Sequence, residues 1–113
     1  MSISWGRTER YKFASSGALT RWTPPQAPAI YAITYNQDPS RPKSHTILFI
    51  GEADDLSQKA AALNAQVLEA WQSSNNDVND LYVFVHHMPG STRGERCKVQ
   101  EQLVSEYVPR CNR

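Results

Sequence analysis

The stretch that decides the fold of this 113-residue chain is Thr46-Ile47-Leu48-Phe49-Ile50-Gly51-Glu52-Ala53-Asp54-Asp55-Leu56. Its first five residues are β-branched, aliphatic or aromatic, which is typical of a buried strand. We expect the strand to end at Gly51, because glycine permits a turn that a side chain would limit. Asp54 or Asp55 can then cap a helix by accepting hydrogen bonds from its free N–H groups.

Working outward from this stretch, four further elements are predicted. Residues 29–35 and 81–87 alternate in the manner of strands. Residues 56–71 have apolar side chains at spacings of three and four, which predicts an amphipathic helix. A second helix is predicted from about residue 92 to residue 106. The order β-β-α-β-α predicts an α+β fold, with a small, mostly antiparallel three-stranded sheet flanked by helices.

The second predicted helix has a definable buried face. Its apolar arc consists of Val99, Leu103, Val104 and Tyr107. The centre of this arc falls near Gln100, and Arg96 points the same way. Glu101 lies roughly 100° further round the helix. We therefore expect Arg96 and Gln100 to face the sheet and Glu101 to face solvent.

Residues 1–28 have no single periodicity. Their aromatic side chains argue against disorder, because disordered segments are poor in them. The prolines at 24, 25 and 28 favour an extended entry into the first strand. We therefore predict an N-terminal arm, residues 1–28, packed on a domain that covers residues 29–113.

Composition limits the class of protein. The length predicts one domain, and a formal net charge of +1 argues against tight binding to nucleic acid by charge alone. Two cysteines without a signal peptide favour a reducing cytoplasm. No stretch approaches a membrane span in length and apolarity, so we expect no membrane partner. The oligomeric state is left open.

Two tripeptides, Ala29-Ile30-Tyr31 and Phe49-Ile50-Gly51, resemble the two signatures of the GIY-YIG nuclease superfamily. The predicted β-β-α-β-α order is that of a GIY-YIG domain. Residues 51–56 look like the family's turn into its first helix. Residues 103–112 look like its closing segment, an apolar pair followed by a proline and an asparagine. The resemblance covers residues 28–112 and implies cleavage of nucleic-acid phosphodiester bonds.

The resemblance also implies site residues. In the family, a late-helix glutamate holds a divalent cation, an early-helix arginine steadies the phosphate, tyrosines position or activate water, and a closing asparagine supports the site. Tyr31 matches the first tyrosine, and Asn112 matches the asparagine. Phe49 stands at the second tyrosine. Lys59 stands at the arginine, and Gln100 stands at the glutamate.

Three of these five positions are altered in ways that weaken the chemistry. Phe49 lacks the hydroxyl that could orient water. Lys59 keeps the charge but not the planar fork of an arginine. Gln100 offers a neutral amide oxygen, a poor sole ligand for Mg²⁺. The resemblance therefore implies a GIY-YIG-like domain with an impaired catalytic centre, in which Tyr31, Lys59, Gln100 and Asn112 converge around one shallow concavity.

Each site residue also has a purely structural interpretation. Tyr31 is consistent with a half-buried strand tyrosine, and Lys59 is consistent with a lysine that snorkels from an apolar stripe. A buried Gln100 needs hydrogen-bond partners, which favours a structural tie.

Three hypotheses for the function follow. In the first, the chain is an impaired nuclease-like module that binds DNA, another nucleic acid or a protein partner. Its nucleic-acid contacts would be the cations Lys59, Arg93, Arg96 and Lys98. In the second, it is an active DNA endonuclease that depends on Mg²⁺ or Mn²⁺ held by Glu101 or Glu52. In the third, it is a protein-interaction module without a nucleic-acid role. A metal cofactor is expected only under the second hypothesis.

Overall fold

A computed structural model describes residues 2–19, 21–36, 40, 45–57, 69, 71 and 81–109. These residues form an α+β structure, as predicted. Its strands are β1 (Ser2–Trp5), β2 (Tyr11–Ala18), β3 (Ala29–Asn36), β4 (His45–Ala53) and β5 (Leu81–His87), and its helix is α1 (Arg93–Tyr107).

The sheet has five strands in the order β1-β2-β5-β3-β4, and every neighbouring pair is antiparallel. The prediction of three strands is therefore wrong, because the segment interpreted as an arm supplies β1 and β2. Tyr11 and Phe13 do alternate with polar and small residues, which is the period of a half-buried strand. The alternation was missed because the other face, at Lys12 and Ala14, is exposed and carries no apolar signal.

Strand β4 continues through Gly51 to Ala53, so the predicted end at Gly51 is also wrong. Gly51 lies opposite Tyr31 in the antiparallel pair β3–β4. A Cβ atom at position 51 would collide with the ring and hydroxyl of Tyr31. The glycine is therefore required by the close approach of an aromatic ring to the backbone and not by a turn.

The two predicted helices are described to different extents. The backbone is helical at Leu56, Ser57, Glu69 and Trp71, and the rest of 56–71 lies outside the described residues. Asp55 accepts hydrogen bonds from the backbone N–H of Ser57 at 3.0 Å and from its hydroxyl at 2.6 Å, as expected of a cap.

Helix α1 begins and ends within one residue of its predicted bounds. Thr92 caps its N-terminus in a reciprocal capping box with Glu95. In the described part of the chain, no helix has both the length and the apolar content needed to cross a membrane.

Each face of the sheet has its own core. One face packs against α1, and its members include Ile30, Ala32, Ile50, Phe84, Val99 and Leu103. The opposite face packs against the helical residues after β4, and its members include Tyr31, Ile33, Phe49, Val83, Leu56 and Trp71. The alternation of side chains along β3 follows this division, with Ile30 and Ala32 in the first core and Tyr31 and Ile33 in the second. A register irregularity in the pair β3–β4 interrupts the alternation, so that Leu48 and Phe49 both lie in the second core.

Candidate functional site

Tyr31 lies in the core opposite α1, where it packs against Phe49 with ring centroids 6.0 Å apart. Its side chain is only 2% exposed, and its hydroxyl has no hydrogen-bond partner among the described residues. Burial, followed by the charge of Glu52, raises the pKa of the Tyr31 phenol far above its usual value. The phenol is therefore neutral and shielded from solvent.

Arg96 lies on the other face, 3% exposed, where it joins the start of α1 to the end of β4. Its Nε donates to Oε2 of Glu52 at 3.0 Å, and its Nη1 donates to the carbonyl of Ser91 at 2.8 Å and to the Ser91 hydroxyl at 3.0 Å. Its Nη2 pairs with Asp54. The expectation that Arg96 contacts a nucleic acid is therefore corrected, because its guanidinium is buried and bonded within the protein.

Gln100 sits one turn further along α1 and reaches the edge strand of the sheet. Its Nε2 donates to the carbonyl of Ile50 at 3.1 Å. Glu101, the next residue, is exposed. The predicted phase of the helix is confirmed, since Arg96 is buried, Gln100 contacts the sheet and Glu101 faces solvent.

The predicted convergence around one concavity stays a prediction, although Tyr31 and Gln100 both reach β4 at the adjacent residues Ile50 and Gly51. Tyr31 crosses Gly51 on one face of β4, whereas Gln100 extends from the helix that packs on the other face. The physical reason is the two-residue period of a strand, which places Tyr31 and its neighbour Ile30 on opposite sides. Lys59 and Asn112 lie outside the described residues.

The carboxylates proposed as alternative metal ligands are also accounted for. Glu52 is nearly buried, and its Oε2 lies 3.0 Å from Nε of Arg96. Its other carboxylate oxygen lies 3.8 Å from Nε of Arg93. Glu101 is exposed on the outer face of α1. Within the ranges that the structure describes, no group of three or more His, Cys, Asp or Glu side chains could hold a metal ion.

The two other predicted nucleic-acid contacts that the structure describes, Arg93 and Lys98, are exposed on α1. The Arg93 side chain is 78% exposed. Their cationic groups are therefore accessible to a phosphate, which the group of Arg96 is not.

Sequence reasoning missed a second feature, a cleft of about 400 Å³ between the β1–β2 turn, the end of β5 and α1. Its lining residues are Glu9, Tyr11, Met88, Glu95, Lys98, Val99 and Gln102. The cleft was missed because it exists only when β2 is part of the sheet. The signal that could have found it is the alternation of Tyr11 and Phe13 with polar residues.

Comparisons of this chain with models of known protein families, with curated proteins and with solved structures find no match to any of them.

Proposed function

We propose that this protein is a nuclease-like domain that binds nucleic acid without cleaving it. One observation carries the proposal. Neither described polar group at a catalytic position of the resemblance is free to meet a substrate, because Gln100 donates to the backbone of β4 and the Tyr31 hydroxyl is buried.

Phosphodiester cleavage needs a cation to offset charge on the phosphate oxygens and a base to take a proton from water. Tyr31 is a weak candidate for the base, since its hydroxyl is shielded and its pKa is raised. Gln100 has no charge to offer a cation. Glu52 has its charge matched by Arg96 across 3.0 Å. These properties support a loss of the family's catalytic chemistry.

Binding to nucleic acid is proposed through the exposed cations of α1. Arg93 and Lys98 are exposed on the helix, whereas the neighbouring Arg96 is buried. With a net charge of +1, the affinity should be modest and should fall as salt increases.

A nuclease assay tests the catalytic half of the proposal. Single-stranded, double-stranded and branched DNA are incubated with the protein and Mg²⁺ or Mn²⁺, and we expect no cleavage. The triple variant Gln100→Glu, Phe49→Tyr, Lys59→Arg should also stay inactive, because the Tyr31 hydroxyl is buried. Cleavage by the unmodified protein would overturn the proposal, and Gln100→Ala would then show whether that cleavage depends on Gln100.

Anisotropy of fluorescently labelled DNA tests the binding half. We expect a salt-dependent affinity that falls in the variant Arg93→Gln, Lys98→Gln. The matched control is Lys12→Gln, Arg21→Gln, which removes two exposed cations from the β2 side and the turn after it. An equal loss in both variants contradicts a site on α1. Absence of any binding favours the protein-interaction hypothesis instead.

A further inference from the structure

We propose that the cleft between the β1–β2 turn and α1 binds an organic cation carried on a short apolar stem, the chemistry of a lysine or arginine side chain. Lys98 borders both this cleft and the proposed nucleic-acid contacts, but the cleft binds a ligand of the opposite charge. It is argued from the shape, the walls and the hydrogen-bonding groups of the cleft.

The cleft has the dimensions and walls of a ligand site. Its volume of about 400 Å³ lies in the range of small-molecule pockets. Tyr11, Met88 and Val99 give it an apolar lining, and Val99 is anchored in the core beneath it. An alkyl stem can bury apolar surface against these side chains, and the ring of Tyr11 can in addition attract a cation over its face.

Two hydrogen-bond acceptors in the cleft compete for one proton. The Tyr11 hydroxyl lies 2.9 Å from Oε2 of Glu9 and 3.1 Å from Oε1 of Gln102, but it has a single proton to donate. The amide nitrogen of Gln102 is turned away to the carbonyl of Glu9, at 3.0 Å. One of the two acceptors is therefore left without the Tyr11 proton, and a ligand N–H would satisfy it.

The charges around the cleft favour a cation. Glu9 and Glu95 line it together with Lys98, so two carboxylates face one ammonium. Burial and the hydrogen bond to Glu9 raise the pKa of Tyr11 to about 12, which keeps its proton in place as the acceptors accumulate. The excess of one carboxylate attracts an ammonium or guanidinium into the cleft.

Met88 lines the cleft and supplies the experiment with a probe. The protein is labelled with ¹³C at its methionine methyl groups and titrated with butylammonium, butylguanidinium and, as the neutral analogue, butanol. We expect a saturable shift of the Met88 methyl resonance with both cations and no such shift with butanol. A further titration with N-acetyl-lysine-methylamide identifies the source of the cation. A Met88 shift with this compound indicates a peptide side chain, and a shift with butylammonium alone indicates a free amine.

A pair of matched variants tests the cause. Glu9→Gln removes one carboxylate from an exposed turn and should weaken butylguanidinium binding about tenfold, the effect of losing one charge-assisted hydrogen bond. Glu101→Gln, which removes a carboxylate from the outer face of α1, should leave the affinity unchanged. Equal shifts with butanol, no shift with either cation, or equal losses in the two variants would each overturn the proposal.

Discussion

The two faces of the sheet bury polar groups near Gly51 in contrasting ways. On the face toward α1, Arg96 and Glu52 are paired with each other, and Arg96 also bonds to Ser91 and Asp54. On the opposite face, the Tyr31 hydroxyl has no partner in the described part of the chain. A buried polar group adds stability only where it is bonded. Removing polar atoms from the face toward α1 should therefore destabilise the protein, and removing the Tyr31 hydroxyl from the opposite face should stabilise it.

The largest effect is expected from Arg96→Met, which keeps an apolar stem but removes the guanidinium. Glu52, which is nearly buried, would lose the guanidinium that donates to its Oε2 at 3.0 Å. Breaking a buried ion pair by removing one partner typically costs about 3–5 kcal/mol. The free energy of unfolding, measured by urea denaturation, should fall by that amount.

Two further variants sharpen this prediction. Arg96→Met combined with Glu52→Leu should recover much of the lost stability, because the buried carboxylate is removed together with its guanidinium partner. Arg93→Gln should change the free energy of unfolding by less than about 1 kcal/mol, as is usual for an exposed ion pair. Equal losses in Arg93→Gln and Arg96→Met would show that the buried pair has no special role.

The second largest effect is expected from Gly51→Ala on the opposite face. The added methyl group would overlap the ring of Tyr31 and force it to move. Overpacking of this kind costs about 1–3 kcal/mol. Gly94→Ala is the control, since a Cβ there meets only the Thr92 hydroxyl at 3.8 Å and alanine favours a helix. Thermal unfolding should show a lower Tm for the first variant and an unchanged or higher Tm for the second.

The same comparison explains what the sequence could and could not predict. Strands β3 and β5 and helix α1 are predictable, because apolar side chains mark their buried faces continuously. Strand β2 is not, because it is covered on one side only and shows alternation at just Tyr11 and Phe13. Gly51 was misjudged because its neighbour across the sheet, Tyr31, is distant in sequence.

The candidate site shows a related limit. A helical wheel correctly predicted that Arg96 and Gln100 face the sheet and that Glu101 faces solvent. It could not predict which side of the sheet receives α1, and therefore whether Gln100 meets Tyr31. The buried bonds of Arg96 were also missed, since its partner Glu52 lies 44 positions away in the chain.

A smaller effect, of opposite sign, is expected from Tyr31→Phe. The variant keeps the ring against Phe49 and removes a buried oxygen that has no described partner. Relief of an unsatisfied polar group should raise the free energy of unfolding by about 1 kcal/mol. Tyr107→Phe is the control, because the Tyr107 hydroxyl accepts a 2.8 Å bond from the backbone of Gly6 and its loss should destabilise. A fall in stability for Tyr31→Phe would show that its hydroxyl is bonded in solution.

The smallest effect is expected at the solvent-accessible end of α1, where bonds to Glu106 hold the β1–β2 turn. The Glu106 carboxylate accepts from the backbone N–H of Arg7 at 2.6 Å and from the backbone N–H and hydroxyl of Thr8 at 3.2 and 3.0 Å. The bond from Arg7 is the main cause that lowers the pKa of Glu106 below its usual 4.5.

A lowered folded-state pKa stabilises the protein at pH values above the unfolded-state pKa. This stability is lost as the pH falls through the folded-state pKa. Glu106→Gln should therefore lower Tm slightly at neutral pH, because the amide keeps one acceptor oxygen but loses the second acceptor and the charge. The Tm difference between the original protein and the variant should shrink on acidification to about pH 3. Glu95, whose pKa is also lowered, titrates in both proteins and cancels from the difference. Glu101→Gln provides the control. A Tm difference for Glu106→Gln that stays constant with pH would mean that the charge of Glu106 does not help to hold the β1–β2 turn.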